Sequence, residues 1–354
     1  MTGRERTPRI NHFSETVFTV QGHGVHTAFC DLAAAHTALG LEVGVNEDWR
    51  DGVLHVHTVG PTSVRRLVRH RGLQVISAHV TPGSLRGSLT GVRLYGGSFT
   101  AYLRAFYNLA HLVIAVSEAA AAELRDIGVR TAIEVVPNGV CADIFRSSPA
   151  HRRDARTELS LPESTFTVLG VGQVQPRKGV EEFVECARAM PDARFVWAGD
   201  CLFGAMSAGR AEMNRVVATA PPNVLFAGQL PRVEVARYCR GADAFLFPSR
   251  HETFGMAPVE AAFAGLPLVL SNLPVFQEVF SAQPHAYLSA GTVPGYVAHL
   301  RALQADPSSR ALTGARAAAA VTRYDARHVA GEIADLYRSW SSARAAGTGT
   351  LRAG

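Results

Sequence analysis

The sequence predicts an α/β protein made of two doubly wound parallel-sheet (Rossmann-like) domains that face each other across a cleft. Three observations predict this. Short apolar, β-branched runs alternate with longer amphipathic stretches, a polar stretch with prolines interrupts the alternation at 146–165, and 354 residues exceed one ordinary core. We therefore expect domains at 1–148 and 149–325, with a C-terminal helix at 326–345 that packs back toward the first domain.

The first domain is predicted from four buried strands and the helices between them. The helices are AFCDLAAAHTALG (28–40) and EAAAAELRDIG (118–128), the second of which ends at a glycine. The strands are VLHVHTV (53–59), QVISAHV (74–80), HLVIAVS (111–117) and AIEVVPN (132–138).

The alternation restarts after the polar stretch and predicts the second domain. Its strands are 166–172, 194–200, 224–229, 244–249 and 267–272, and its helices are 179–190, 207–218, 232–240 and 257–264. In sheets of this type ligands bind at the carboxyl ends of the strands. The residues that follow these strands are therefore the first candidates for a site.

Composition narrows the function classes. The net charge is +5, and no nucleic-acid-binding motif is present, so nucleic acid is not an expected partner. Five scattered cysteines without a C-x-x-C predict reduced thiols and no zinc site. We see no signal peptide and no apolar run long enough to span a bilayer. The expected location is cytoplasmic, on the inner face of the cell membrane if the acceptor is a lipid.

Lys178 is the single lysine of the chain, beside 34 arginines. It follows Arg177 in the stretch VGQVQPRKGVEEF, between a strand that ends in glycines and the start of a helix. Adjacent cations at the carboxyl edge of a sheet suit a diphosphate. A solvated surface pair is the alternative for this dipeptide taken alone.

Glu252 and Glu260 lie on either side of a predicted helix start in PSRHETFGMAPVEAAFAGLPLV (248–269). Pro258 suits the first turn of that helix, whose leading N–H groups can bind an anion. Carboxylates at such positions accept hydrogen bonds from sugar and ribose hydroxyls. Two solvated glutamates would be the alternative for the spacing alone.

Taken in order, these motifs resemble the donor domain of retaining glycosyltransferases of family 4, which have the GT-B fold. The likeness covers nearly all of residues 166–280, through GVGQVQPRKG, FVWAGD, VLFAGQL and ADAFLFPSRHETFGMAPVEAAFAGLPLVLSN. The first half is similar through VLHVHTVGP, VISAHVTPG, LAHLVIAVSE and VVPNGVCADIF, most of all to the branch of bacterial diacylglycerol glucosyl- and galactosyltransferases.

The resemblance implies a role for each matching residue of the second domain. Arg177 and Lys178 would hold the donor diphosphate, Glu252 would bind sugar hydroxyls, and Glu260 would hold the ribose. The remaining donor-site residues would be Gly172, the base-side pair Gln229 and Leu230, and the backbone around Phe254, Gly255 and Met256. The resemblance also implies that no metal and no cofactor is needed besides the nucleotide diphosphate sugar, which is a co-substrate, because GT-B enzymes stabilise the leaving diphosphate with cations and helix dipoles. The absence of a D-x-D motif is consistent with this.

The resemblance also implies site residues in the first domain. Gly22 and Gly24, in TVQGHGVHTAF, match the family's first glycine loop, although His23 separates glycines that are often adjacent in the family. His79 follows a strand and matches the active-site histidine near the donor sugar. His55 and His57 alternate in HVHT, and we expect them on opposite sides of the sheet. His57, which is closer to the cleft end, is the candidate at the acceptor side.

The segment 83–110 mixes arginines with aromatic residues, and RRLVRHRG (65–72) is basic. This pattern suits an anionic membrane surface, and it equally suits a solvated helix whose aromatic residues enter the core.

The function expected is retaining transfer of a hexose from UDP-glucose or UDP-galactose to a diacylglycerol or glycolipid hydroxyl. A small soluble acceptor is one alternative. A UDP-sugar epimerase of the same architecture, or a non-catalytic partner subunit, is another. A dehydrogenase is disfavoured because no G-x-G-x-x-G follows a first strand.

Overall fold

The computed structural model describes residues 9–17, 24–85, 92–201 and 209–346. Within these ranges the chain divides into two compact units. The first comprises the described residues up to 83, residues 94–140 and those from 324 onward, and the second comprises 84–93 and 141–323.

The elements up to residue 140 alternate between strands and helices as the sequence predicts. The strands are Ile10–Phe13 (β1), Val43–Val45 (β2), Val53–Val56 (β3), Leu73–Ala78 (β4), Leu112–Ala115 (β5) and Ala132–Val135 (β6). The helices are Gly24–Ala38 (α1), Pro61–Arg69 (α2), Pro82–Leu85 (α3), Val92–Tyr107 (α4) and Glu118–Asp126 (α5). Ser117 caps α5 by accepting a hydrogen bond from the N–H of Ala120 at 3.1 Å.

The sheet of the first unit has the strand order β2-β1-β3-β4-β5-β6, and every neighbouring pair is parallel. The chain runs from β1 to β2 on one side and then to β3 on the other. The strand order therefore reverses between β1 and β3, which is where an open α/β sheet forms a crevice for ligands.

From residue 141 the same alternation builds the second unit. Its strands are Thr167–Val171 (β7), Arg194–Ala198 (β8), Val224–Gly228 (β9), Ala244–Phe247 (β10), Leu268–Ser271 (β11) and Leu288–Ala290 (β12). Its helices are Ala142–Phe145 (α6), Pro149–Glu158 (α7), Val180–Ala189 (α8), Arg210–Ala218 (α9), Arg232–Gly241 (α10), Met256–Phe263 (α11), Pro274–Val279 (α12), Val293–Ala305 (α13) and Pro307–Ala320 (α14).

The second sheet has the order β12-β11-β10-β7-β8-β9, again with parallel neighbours. Here the order reverses between β7 and β10. The core beneath the sheet includes Phe183, Phe195 and Trp197, whose rings meet edge to face.

The last helix, Ala326–Ala345 (α15), belongs to the first unit. Val329, Ile333 and Tyr337 on its apolar face pack in the core that contains Ile10 and Leu32. Asp325 caps this helix, since its side chain accepts a hydrogen bond from the N–H of Arg327.

The first unit ends at Val140, short of residue 148, where the polar stretch led us to place the boundary. The reason is the short helix α6, whose partners lie in the second unit. The guanidinium of Arg232 lies 5.2 Å from the ring centroid of Phe145, and Arg240 donates to the carbonyl of Ile144. Because both arginines lie on α10, far along the chain from α6, the composition around residue 145 does not reveal these contacts.

The described part of the chain contains no helix with both the length and the apolar character needed to cross a bilayer. Strands β1, β2 and β12 were not anticipated from the sequence. Strands β2 and β12 have three residues each, and polar Asn11 and His12 interrupt the apolar pattern of β1.

Candidate functional site

The carboxyl ends of β7 and β10 bring the predicted donor-site residues of the second unit together. Gly172 follows β7 and leads to a 3-10 turn at Pro176–Lys178, while the loop after β10 carries Ser249 and Glu252. These are the two strands between which the strand order reverses. A ligand site is therefore expected where these loops meet.

Glu252 is the centre of this cluster. The Nζ of Lys178 and the Oγ of Ser249 each donate to Oε1 of Glu252 at 2.6 Å. Arg177 Nη1 lies 3.5 Å from the same oxygen and donates to the carbonyl of His251 at 2.8 Å. Because two cations face one carboxylate, the cluster keeps a net positive charge.

Burial and charge act against each other on these groups. The side chains of Lys178 and Glu252 are 15% and 9% exposed. Burial alone would raise the pKa of Glu252, but the charges of Lys178 and Arg177 outweigh it and lower that pKa. Burial lowers the pKa of Lys178, and the Glu252 carboxylate opposes that shift. Glu252 is thus an ionised group that holds both cations in place.

The turn that presents Arg177 and Lys178 depends on Gly179. Its φ is +73°, and a Cβ atom there would lie 2.1 Å from the carbonyl oxygen of Pro248, just before the Glu252 loop. No side chain can be added without moving backbone, so this glycine holds the two loops against each other.

Gly179→Ala is expected to lower the free energy of unfolding by about 2–5 kcal/mol, the sum of a left-handed backbone cost and a steric clash. Gly265→Ala is the matched control, since Gly265 has a φ of +78° but nothing within 4 Å of an added Cβ. The control should lose only about 1–2 kcal/mol. Urea unfolding of both variants measures the difference, and equal losses would contradict the clash.

Glu260 lies on α11, four residues past Met256, where that helix begins. Its Oε1 accepts from Nε and Nη2 of Arg232 at 3.1 and 2.9 Å, and Glu260 is 7% exposed. Arg232 was not singled out from the sequence. The only signal was its position directly after GQLP, at the start of α10.

The other donor-site candidates of the second unit lie on two loops. Gln229 and Leu230 follow β9, and the first of them is exposed. Phe254 is buried, while Gly255 has a φ of +93° and a Cβ there would come within 2.9 Å of the Phe276 ring. Met256 is the first residue of α11, so its N–H is among those that a helix leaves without an internal partner.

Gln175, at the start of the turn, is a further residue that the sequence did not mark. It is fully buried, and among the described residues neither its Nε2 nor its Oε1 has a hydrogen-bond partner. A buried amide without hydrogen-bond partners costs about 1–3 kcal/mol of stability.

Gln175→Leu is therefore expected to raise the free energy of unfolding by about 1–2 kcal/mol, because it removes the unpaired amide. Gln74 is the matched control, since its Nε2 donates to the carbonyls of Leu67 and His70. Gln74→Leu should lower stability. Urea unfolding distinguishes the two, and a destabilised Gln175→Leu would contradict the unpaired state.

The candidates of the first unit lie near the reversal between β1 and β3. His79 follows β4 and is 8% exposed, and His57 follows β3 and is 2% exposed. Nδ1 of His57 lies 3.4 Å from Nε2 of His79, and both line a small cavity together with Ser77 and Asn138. Gly24 is the first residue of α1, whereas Gly22 lies outside the described residues.

The expectation that His55 and His57 face opposite sides of the sheet was wrong. Their ring centroids are 4.3 Å apart, and both are buried. Residues two apart in a strand point to the same face, so the HVHT alternation places both rings together.

The sequence matches the family described as "Glycosyltransferase Family 4" over residues 46–143 and that described as "Glycosyl transferases group 1" over residues 151–319. It is also 30% identical, over 285 residues, to the alpha-galactosylglucosyldiacylglycerol synthase of Streptococcus pneumoniae, which covers 78% of this chain and 76% of that protein. The chain belongs to the family 4 glycosyltransferases.

This glycosyltransferase is also similar to two further proteins. It is 24% identical to the processive diacylglycerol alpha-glucosyltransferase of Acholeplasma laidlawii over 77% of this chain and 81% of that one. The structure of Anabaena HepE in complex with UDP and glucose aligns with a TM-score of 0.73 at 19% identity, covering 94% of this chain and all of that one. The predicted family and GT-B fold are confirmed.

Proposed function

We propose that this glycosyltransferase moves a hexose from UDP-glucose or UDP-galactose to a hydroxyl group of a diacylglycerol or glycolipid, with retention of anomeric configuration. The cluster of Arg177, Lys178 and Glu252 carries the donor half of the proposal. The names of the two diacylglycerol-glycosylating relatives support the acceptor half.

The cation cluster suits the diphosphate of such a donor. An ammonium group has three donors, so the bond from Lys178 to Glu252 leaves capacity for phosphate oxygens. The start of α11 adds backbone N–H groups and the positive end of a helix dipole. The choice of UDP is supported by Anabaena HepE, which was solved with UDP and glucose.

Catalysis in this proposal is electrostatic. As the bond between the sugar and the diphosphate breaks, negative charge grows on the leaving oxygens, and Arg177 and Lys178 stabilise it. The acceptor hydroxyl attacks from the face that the diphosphate leaves, which gives retention, and its proton passes to the departing diphosphate oxygen. Glu252 keeps Lys178 in place, and its second oxygen suits a sugar hydroxyl. We propose that these side chains need neither a metal ion nor another cofactor, which activity in excess EDTA would test.

The acceptor side is proposed to meet an anionic membrane. On α2, the exposed side chains of Arg65 and Arg69 flank Val68, which is 70% exposed. Cations beside an apolar side chain suit lipid headgroups. The aromatic part of the predicted membrane segment was partly wrong, because Phe106 and Tyr107 are buried in the core of the first unit. Arg86 lies outside the described residues.

Arg65→Glu/Arg69→Glu is expected to weaken binding to vesicles that contain anionic lipid by roughly 30-fold or more, measured by sedimentation, since each basic residue contributes about 1 kcal/mol at such a surface. Arg327→Glu, an exposed arginine on α15, is the control and should bind as wild type. Equal binding by all three proteins would exclude α2 as the membrane-facing helix.

The function itself is tested by UDP release from UDP-glucose and UDP-galactose with three additions: no lipid, phosphatidylglycerol vesicles, and the same vesicles with diacylglycerol. Release that requires diacylglycerol, together with a lipid-linked hexose of α configuration by NMR, is the expected result. Release without dependence on lipid would favour a soluble acceptor. Interconversion of the two donors without UDP release would indicate an epimerase.

A further inference from the structure

Four buried histidines of the first unit form one continuous hydrogen-bonded chain. Nε2 of His36 lies 3.1 Å from the carbonyl oxygen of Ala330, and Nδ1 of His36 lies 2.9 Å from Nε2 of His12. Nδ1 of His12 lies 3.0 Å from Nε2 of His57, and Nδ1 of His57 lies 3.4 Å from Nε2 of His79. The chain thus runs from helix α15 to His79.

The carbonyl of Ala330 sets the direction of every proton in this chain. A carbonyl oxygen only accepts, so Nε2 of His36 must carry the proton. A neutral imidazole has one donor and one acceptor, hence Nδ1 of His36 accepts from His12. The same step repeats at His12 and at His57. At the end of the chain, the proton of His79 therefore lies on Nε2, and Nδ1 of His79 is a hydrogen-bond acceptor.

The chain must be neutral for this ordering to hold, and its surroundings favour that state. His12 and His36 are fully buried and His57 is 2% exposed. Burial lowers the pKa of His12 and His57 well below its usual value, and it lowers the pKa of His36 to about 4 against the opposing hydrogen bond to Ala330. The charges that act on His12, His55 and His57 are those of the other histidines, and each of them lowers the pKa further.

A metal ion is the competing explanation for such a cluster. Among the described residues, ring nitrogens of His12, His55 and His57 lie within 4.8 Å of one another. However, both nitrogens of each ring already have hydrogen-bond partners, including the Tyr337 hydroxyl at 2.5 Å and Ser77 Oγ at 2.8 Å for His55. A metal would have to break these bonds, whereas the ordered chain satisfies them all.

We propose that the chain from Ala330 through His36, His12 and His57 is a positioning device, which holds His79 as the neutral Nε2–H tautomer with Nδ1 as a hydrogen-bond acceptor. An acceptor nitrogen suits a hydroxyl group of a sugar or an acceptor. The contact between His79 and a substrate hydroxyl rests on the function proposed above, whereas the tautomer of His79 does not. His12, His36 and His57 therefore act through His79.

Nitrogen-15 NMR of the full chain, with ring-labelled histidine and single variants for assignment, tests the proposal without substrate. At neutral pH, His12, His36, His57 and His79 should each carry a single ring proton, on Nε2. A proton on Nδ1 of any of them, or a charged ring, would overturn the proposal. So would ring shifts that change when a chelator removes a bound metal.

Variants at His36 test the link to catalysis. His36→Phe removes the acceptor for His12, so His79 should become a mixture of tautomers and kcat should fall by about tenfold or more while KM for the donor changes little. In His36→Asn, the amide oxygen can replace Nδ1 and should restore both the tautomer and most of kcat. His70→Gln, at a buried histidine whose nitrogens face the carbonyls of Trp49 and Gly52, is the control.

The outcomes separate the two proposals. If His36→Phe leaves the His79 tautomer unchanged, or if His70→Gln lowers kcat equally, the positioning role is wrong. If the tautomers are as expected but no sugar is transferred to any acceptor, the proposed function fails while the ordered chain stands. If His36→Phe does not fold, the wild-type spectrum and His36→Asn still decide the proton order.

Discussion

Lys178→Ala is expected to reduce kcat/KM for sugar transfer by roughly 30- to 1000-fold. This corresponds to about 2–4 kcal/mol, the typical loss when one electrostatic donor to a developing negative charge is removed. Lys178 is suited to this role because its ammonium is largely buried and already aligned by Glu252 at 2.6 Å. The loss should fall mainly on kcat, since the leaving diphosphate gains charge in the transition state.

Two variants make this test specific. Lys178→Arg keeps the charge but replaces a compact ammonium with a planar fork, and we expect it to recover little activity. Arg250→Ala is the control, since Arg250 lies in the same loop but pairs with Glu182 at an exposed position. Thermal unfolding should be measured for each variant because loss of Lys178 leaves Glu252 with fewer partners. Near-wild-type turnover of a folded Lys178→Ala would refute the phosphate role.

The free energy of unfolding of the first unit is expected to fall by about 5 kcal/mol between pH 7.5 and pH 5.5. His12, His36, His55 and His57 have folded pKa values below their usual value because they are buried, and that of His36 is about 4. The unfolded chain then binds more protons as pH falls below about 6.5, so stability is lost in that direction. Each histidine that stays neutral when folded contributes about 1.4 kcal/mol per pH unit.

Urea unfolding followed by circular dichroism at the two pH values measures this loss. His55→Asn removes one of these four buried histidines and should reduce the pH-dependent loss by about 1.4 kcal/mol. The exposed His151 provides the control, since His151→Asn should show the wild-type difference. Glu252 does not contribute to the loss of stability between pH 7.5 and pH 5.5. Its folded pKa is lowered, so the stability that depends on its ionisation is lost only when the pH falls below the ordinary pKa of a glutamate. A loss of less than about 2 kcal/mol would mean that these histidines are charged in the folded state.

Much of the donor site could be predicted because it depends on local rules. Arg177, Lys178 and Glu252 each follow a predicted strand, and parallel strands end at one edge of a sheet. The contacts of Glu252 with Lys178 at 2.6 Å and with Arg177 at 3.5 Å therefore agree with the order of strands along the chain. Arg232 beside Glu260 could not be predicted in this way, because nothing in GQLPRV specifies where an arginine side chain points.

The histidine chain shows the other limit. His36 and Ala330 are separated by 294 residues, and His12 and His57 by 45. Periodicity within one strand cannot show which rings from different elements will meet. Even within a strand, an incorrect use of the alternation placed His55 and His57 on opposite faces, although they share one.

The sequence by itself determined the alternation of strands and helices, the family, and the loops that hold the site, because these depend on short-range hydrophobic patterns and on motifs of contiguous residues. Only the tertiary structure decided that Gly179 leaves no room beside Pro248, that the buried Gln175 amide has no hydrogen-bond partner in the described part of the chain, and that Ala330 orders the protons of four histidines. Those properties depend on distances between segments far apart in the chain, which packing alone sets.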